Sequence, residues 1–293
     1  MKLQGSTTKY PETPIIFSVD KYEFNNRHVN QLKVYLEKHL KDDCYASLIH
    51  GSAGTNELID YSDLDALIIL KDEVFNDHKK LTYVAYHLFV SRKFMHELDP
   101  LQHHGWFVIP ESYLKNFNSS IIPISLIRSS KLLTGNSKFS ISLKKKNPTY
   151  KLHSILKNLE KRINNKNTPD NMFSLKSMLS EFMLTPSLYL QERYNNDVNK
   201  SDSFEIASKD FDPKVYSIMN EVSDIRLKWR YNPGSLRSYL LKKLRMLPGG
   251  SIAFLSGRTT VELRNVIDHK FLNRMKDLVN NMVVLLDNQK EQH

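Results

Sequence analysis

The sequence predicts a mixed α/β domain followed by an all-helical one, and three observations carry that reading. Two short apolar runs, CYASLI (Cys44–Ile49) and ALIIL (Ala66–Leu70), have the length of strands and stand between stretches of helical periodicity. Beyond about residue 150 the periodic segments all have helical spacing, and Asn, Asp, Pro and Gly punctuate the connections between them. A chain of 293 residues also exceeds one average domain. The predicted division is 1–148 for the α/β domain and 149–293 for the helical bundle.

Taken in order, residues 1 to about 20 read as irregular, because Pro11 and Pro14 exclude a helix there. Val29, Leu32, Leu36 and Leu40 recur at helical spacing behind a cap at Asn25 or Asn26, which predicts a helix over 26–40. The strand Cys44–Ile49 follows, then a Gly51-Ser52 turn, and a second strand from Asp63 to Leu70. A long helix is expected over 79–98, with Tyr83, Tyr86, Leu88 and Phe94 among its apolar residues. Asp99-Pro100 ends it, since the residue before a proline disfavours helical backbone. Leu101–Ile109 reads as a third strand closed by Pro110, and IIPISLI, within 119–133, has no decisive period. Helices are predicted over 151–164, 172–195, 213–229, 235–244 and 259–287. In the second of these, Phe173, Leu175, Leu179, Phe182 and Met183 form a stripe broad enough for a bundle core.

Composition narrows the function classes. With 40% hydrophobic and 25% charged residues, the chain is that of a soluble globular protein. One cysteine, Cys44, excludes an intramolecular disulfide and any multi-cysteine zinc site, and its place at the start of a strand suits a buried structural thiol. The first residues hold no continuous apolar core, and no run reaches bilayer length, so no membrane partner and a cytoplasmic setting are expected. The net charge of +10 suits acidic partners: nucleoside triphosphates, RNA or an anionic acceptor. Apart from Lys144–Lys146 the lysines are scattered, as on solvated helix faces.

The chemistry concentrates in HGSAGTNELIDYSDLDALIIL. Ten residues separate Ser52 from Asp63, and Asp63-Leu64-Asp65 runs straight into the second strand. Alternate strand residues share a face, so Asp63 and Asp65 project together. Two such carboxylates repel unless a cation lies between them, and oxygen ligands of this kind suit Mg²⁺ (or Mn²⁺), completed by substrate phosphates. Glycine lets backbone approach a phosphate closely, and serine adds a hydroxyl donor.

Strand, Gly51-Ser52, short spacer and Asp63-Leu64-Asp65 entering an apolar strand resembles the nucleotidyltransferase superfamily, which includes DNA polymerase beta, the aminoglycoside nucleotidyltransferases and the poly(A) polymerases. The resemblance covers about the first half of the chain and rests on those four residues. It implies a nucleotidyltransferase core with a mixed sheet, a metal held by Asp63 and Asp65, and phosphates held by Gly51 and Ser52. The reaction implied is transfer of a nucleoside monophosphate from a nucleoside triphosphate to an acceptor hydroxyl, with release of pyrophosphate. In relatives a lysine-containing segment early in the helical domain contacts the triphosphate. Lys200 or Lys209 would do so here, the plain alternative being an exposed lysine beside a helix cap. Glu181 is a candidate acceptor-activating base or a solvated helix glutamate.

The superfamily's third carboxylate, on the strand beside Asp-x-Asp, has no counterpart in LQHHGWFVI. Strand alternation would set Gln102, His104, Trp106 and Val108 on the side of Asp63 and Asp65, placing His104 where that acid usually stands. His104 then reads as a general base, a metal ligand or a structural histidine. Asp99 and Glu97 are the nearest acids, both before the strand. With no recognisable RNA-binding module, a small-molecule acceptor is favoured, and RNA or a protein side chain stays open. The reading from a different class is a catalytically degenerate nucleotide-binding regulator or scaffold. The missing acid supports it, and retention of Asp63 beside Asp65 opposes it.

Overall fold

A computed structural model describes residues 14–102, 104–119, 121–144, 150–165, 168–194, 198–232, 234–243 and 249–291. The chain divides into two compact units, one of Lys9–Lys146 with Arg230–Ile252, the other of Asn147–Trp229 with Ala253–His293.

The first unit is built on a mixed sheet. Its elements are β1 (Ile15–Ser18), α1 (Arg27–His39), β2 (Cys44–His50), α2 (Gly51–Gly54), β3 (Asp65–Leu70), α3 (Asp72–Asn76), α4 (His78–Leu98), β4 (Trp106–Pro110), α5 (Ile124–Ser129), β5 (Lys131–Gly135) and β6 (Lys138–Ile141). The main sheet has the order β4-β3-β2-β5, with β3 and β4 parallel and the other pairs antiparallel. β1 and β6 pair separately as an antiparallel ribbon. Helix α1 starts where Asn26 accepts the N–H groups of His28 and Val29, and α4 starts where Asp77 does the same for Lys79 and Lys80.

Strand alternation divides the core. Ala66, Ile68 and Leu70, together with Leu64 just before β3, pack with Val29, Leu32 and Leu36 of α1 and Val84, Leu88 and Phe94 of α4. Leu67 and Ile69 join Ala46, Leu48, Ile109, Phe117, Ile127 and Phe139 on the opposite face. The sheet therefore has a helix-covered face and a second face, to which Asp65 belongs by parity.

The second unit holds α6 (Tyr150–Asn164), α7 (Met172–Phe182), α8 (Thr185–Tyr194), α9 (Lys200–Ser208) and α10 (Pro213–Leu227). After α11 (Ser235–Lys243) and α12 (Gly249–Leu255), the chain completes it with α13 (Val261–Val266) and α14 (His269–Glu291). Tyr189 and Tyr194 both donate to Asp210 (2.8 and 2.7 Å), and both terminal nitrogens of Arg274 bond Glu221. Among the described residues no helix is long and apolar enough to cross a membrane.

Several elements differ from the sequence reading. Residues 15–18 form a strand because β6, over a hundred residues later, pairs with them. IIPISLI splits between a loop and α5, and β5 begins at Lys131. The helix predicted over 172–195 breaks at Met183–Leu184, just before Thr185-Pro186, and the one over 259–287 breaks between α13 and α14. The third strand is shorter than predicted, Trp106–Pro110. Residues 230–252 return to the sheet unit, where Arg230 pairs with Asp60 (3.2 Å) and α11 packs on α4. Helical periodicity in 235–244 carries no information about which neighbour receives it. His103 and the predicted boundary at 148 lie outside the described residues.

Cys44, the first residue of β2, is buried, and burial pushes its thiol up to about 12; Lys71 opposes the shift and Asp43 adds to it. Native protein at pH 8 should resist iodoacetamide, while denaturant-unfolded protein is alkylated within minutes. Equal rates by mass spectrometry would show that the thiol is accessible in the folded chain.

Candidate active site

The site grows from the pairing of β2 with β3. Their register sets His50 opposite Asp65, so the two side chains leave the same face at neighbouring positions. Beyond His50 the chain turns sharply into α2 through Gly51, whose φ of 61° is a left-handed conformation that favours glycine. A Cβ built on Gly51 would stand 3.0 Å from Asp65 Oδ2. Glycine is thus required twice, by the backbone and by the carboxylate facing it. Ser52 follows, half-buried, and its carbonyl accepts the N–H of Glu57 (2.8 Å) to close the next turn.

The segment between Ser52 and Asp63 is a tight loop. Ser62 accepts the N–H of Ile59 on its hydroxyl (3.0 Å) and donates its own N–H to Ile59 O (2.8 Å). Tyr61 and Ser62 are buried. Asp63 leaves this anchored turn half-buried, with Oδ1 shielded from solvent, and lies just before the strand.

Gln102 holds the Asp63-Leu64-Asp65 segment in place. Its Oε1 accepts the N–H of Leu64 (2.9 Å), and its Nε2 donates to Leu64 O (3.1 Å) and to His104 O (2.8 Å). A carboxamide so placed satisfies both backbone groups of Leu64 as a neighbouring strand would, at a point ahead of β4, which begins at Trp106. The residue is fully buried. Its carboxamide is engaged with backbone, and it serves the carboxylate pair through Leu64.

The parity expectation for LQHHGWFVI is corrected by the β3–β4 register. Ala66 is level with Trp106 and Leu67 with Phe107, so Trp106 and Val108 share the face of Ala66 and Ile68, not that of Asp65. Trp106 accordingly donates its indole N–H to Ser91 of α4 (2.8 Å). The register was legible only with both strands' ends known, and β4 begins five residues later than predicted. His104 precedes β4 and is exposed; its ring centroid lies 6.2 Å from that of Phe107. Its position comes from the loop, not from strand alternation.

His50 is the residue that the sequence reading missed. It is 5% exposed, and its ring centroid lies 6.1 Å from that of Phe107. Burial pulls the imidazole below its ordinary range, Asp65 opposes that pull, and His104 reinforces it. At neutral pH it is an uncharged ring beside Asp65. The one available signal was its position immediately before Gly51.

The sheet unit thus brings Gly51 against Asp65, His50 across from it, and His104 within electrostatic reach of His50, while Ser52 and Asp63 flank them in the chain. Lys200 is the first residue of α9 in the helical unit, so it is not among the side chains that the sheet unit itself assembles. Lys209 pairs with Glu205 one turn away (3.4 Å), as an exposed helix lysine does. Glu181 lies half-buried on α7 of the same unit. Asp99 is buried and accepts the N–H of Leu101 (3.0 Å), which makes it a cap after α4.

Among the described residues no three His, Cys, Asp or Glu side chains cluster to hold a metal ion by themselves. Two hard oxygen donors, one of them facing a glycine that brings no side chain against it, fit a divalent cation whose remaining ligands come from a phosphate chain.

No family model matches the chain, and no curated protein matches it. Among solved structures it is similar to the crystal structure of spectinomycin adenyltransferase AAD(9) from Enterococcus faecialis with ATP and spectinomycin. The identity is 13% and the TM-score 0.41, over 77% of this chain and 98% of that one.

Two substitutions test this geometry. Gln102→Ala leaves both backbone groups of Leu64 unsatisfied, at about 1–3 kcal/mol each, and should lower the melting temperature by several degrees. Gly51→Ala should cost about 1–2 kcal/mol for the left-handed backbone. Calorimetric melting within one degree of wild type for both would show that neither contact constrains the loop.

Proposed function

We propose that the chain is a Mg²⁺-dependent nucleotidyltransferase that moves a nucleoside monophosphate from a nucleoside triphosphate to an acceptor hydroxyl, a small molecule in preference to RNA. The observation that carries the reading is the apposition of Gly51 and Asp65, with the segment between them pinned by Gln102 at Leu64 and by Ser62 at Ile59. A fixed pair of carboxylates next to backbone with no side chain is what a triphosphate and its counter-cation need.

In this scheme Asp63 and Asp65 would hold Mg²⁺ (or Mn²⁺), which when bound would neutralise triphosphate charge and make the acceptor hydroxyl more acidic. Gly51 admits the phosphate chain close to backbone, and the Ser52 hydroxyl donates to a phosphate oxygen. The acceptor oxygen forms its bond to the α-phosphorus as the bond to the bridging oxygen breaks, and pyrophosphate leaves with that electron pair. The acceptor proton passes to an imidazole nitrogen of His104, which is exposed. His50, neutral and buried, stands across from Asp65 in the β2–β3 pairing. Positioning and charge stabilisation supply most of the acceleration.

One observation favours a second reading, a nucleotide-binding regulator with no turnover: neither Gln102 nor His104 supplies the superfamily's third carboxylate. Pyrophosphate release from each of the four ribonucleoside triphosphates, with Mg²⁺ or Mn²⁺ and pooled metabolites or RNA as acceptor, separates the two. Nucleotide affinity without release of pyrophosphate would leave the regulator.

Asp63→Asn and Asp65→Asn should abolish turnover and keep the fold. In calorimetry each should weaken Mg²⁺-dependent nucleotide binding at least tenfold, about 1.4 kcal/mol. Unchanged affinity in both would place the nucleotide elsewhere. His104→Ala should lose most of the activity while nucleotide affinity stays, and His104→Asp should retain or raise it. Full activity in His104→Ala would make the residue a bystander.

A further inference from the structure

The helix-covered side of the sheet unit carries a second surface, on the opposite face of the sheet from Asp65. Helices α1 and α4 together contain seven Lys or Arg residues against two Glu, with five histidines. Between them runs an open groove of about 770 Å³, whose lining includes Arg27, Gln31, Tyr35, Lys38, His39 and Phe94 and no carboxylate among the described residues.

Aromatic rings continue from that groove along α4. Tyr35 lies 5.8 Å from Phe94 and 4.6 Å from His39, centroid to centroid. His39 stacks on His87 at 4.4 Å and 16°, and the Tyr35 hydroxyl shares a 2.8 Å hydrogen bond with His87 Nδ1. Tyr83 and Tyr86 flank His87 at 4.3 and 5.2 Å. Burial, reinforced by His39, lowers the His87 pKa, so that ring is neutral at ordinary pH. Lys93 Nζ sits over Phe94 (4.6 Å) and Tyr35 (5.8 Å). Tyr83 and Tyr86 are 45% and 60% exposed, so part of each side chain is accessible to a ligand.

From Tyr83 to Phe94 this layer runs about 16 Å along the helix at 1.5 Å per residue, too far for one base to cover. Cations bordering an aromatic platform, in a groove without acids, complement a chain that alternates phosphates with flat rings. We propose that the α1–α4 face binds single-stranded nucleic acid. Bases stack on Tyr83 and Tyr86, and Arg27 and Lys38 face the phosphates. The proposal is independent of the transferase reading, since none of its residues belongs to that site.

Fluorescence anisotropy of labelled U12 and dT12 with the full chain tests it. Micromolar binding is expected at about 50 mM salt, falling at least tenfold by about 200 mM. Tyr83→Ala with Tyr86→Ala should weaken binding at least tenfold. Arg27→Ala with Lys38→Ala, both exposed side chains, should lower the logarithmic salt slope by about two. A preference between U12 and dT12 would report the sugar and the thymine methyl together, and equal binding would leave the proposal intact for both. It is overturned by no binding at about 100 µM protein in low salt. It is equally overturned by unchanged affinity in both double variants, or by a mononucleotide displacing the probe as well as an unlabelled strand does.

Discussion

The antiparallel register of β2 on β3 is the constraint on which the rest of the site depends. It puts His50 level with Asp65 and so delivers Gly51, one residue on, against the same carboxylate. Because side chains alternate with period two, a slip of one residue would turn Asp65 toward α1 and α4 and bury its charge in an apolar core. The hydrophobic run of β3 forbids that slip, since Ala66, Ile68 and Leu70 fill one face and Leu67 and Ile69 the other. Apolar packing thereby positions a charged group that contributes nothing to the packing itself.

Buried polar groups around the carboxylates follow the same logic. Where β4 has not yet begun, Gln102 pairs with both backbone groups of Leu64, and Ser62 closes the turn ahead of Asp63. Each of these bonds contributes little net stability, but loss of either partner would strand a backbone group away from water. The cost of disorder falls on the loop that carries the carboxylates, which keeps them within a narrow range of positions. His50 adds a neutral wall beside Asp65, because burial outweighs the attraction that would otherwise protonate it.

The sheet also separates two kinds of surface. One face carries the acidic pair, and the helices on the other carry the excess of cations and the exposed tyrosines. A net charge of +10 suggests only an affinity for anions. Its concentration on α1 and α4, with rings between the cations, turns a diffuse property into a surface of defined chemistry.

Local pattern was enough for much of the fold and for the carboxylate pair. Period-two and period-3.6 spacing located β2, β3, α1 and α4, and the strand-turn-Asp-x-Asp order singled out Gly51, Ser52, Asp63 and Asp65. Those features are encoded within a few residues of each other, so the sequence by itself determined them. What depends on partners distant in the chain was decided only in three dimensions. Residues 15–18 became a strand through β6, residues 230–252 joined the sheet unit through Asp60 and α4, and His50 joined the site through its cross-strand partner. His104 shows the limit most plainly. Alternation along a predicted strand set its direction, yet the strand begins only at Trp106, and a loop has no period from which a side chain's direction can be read.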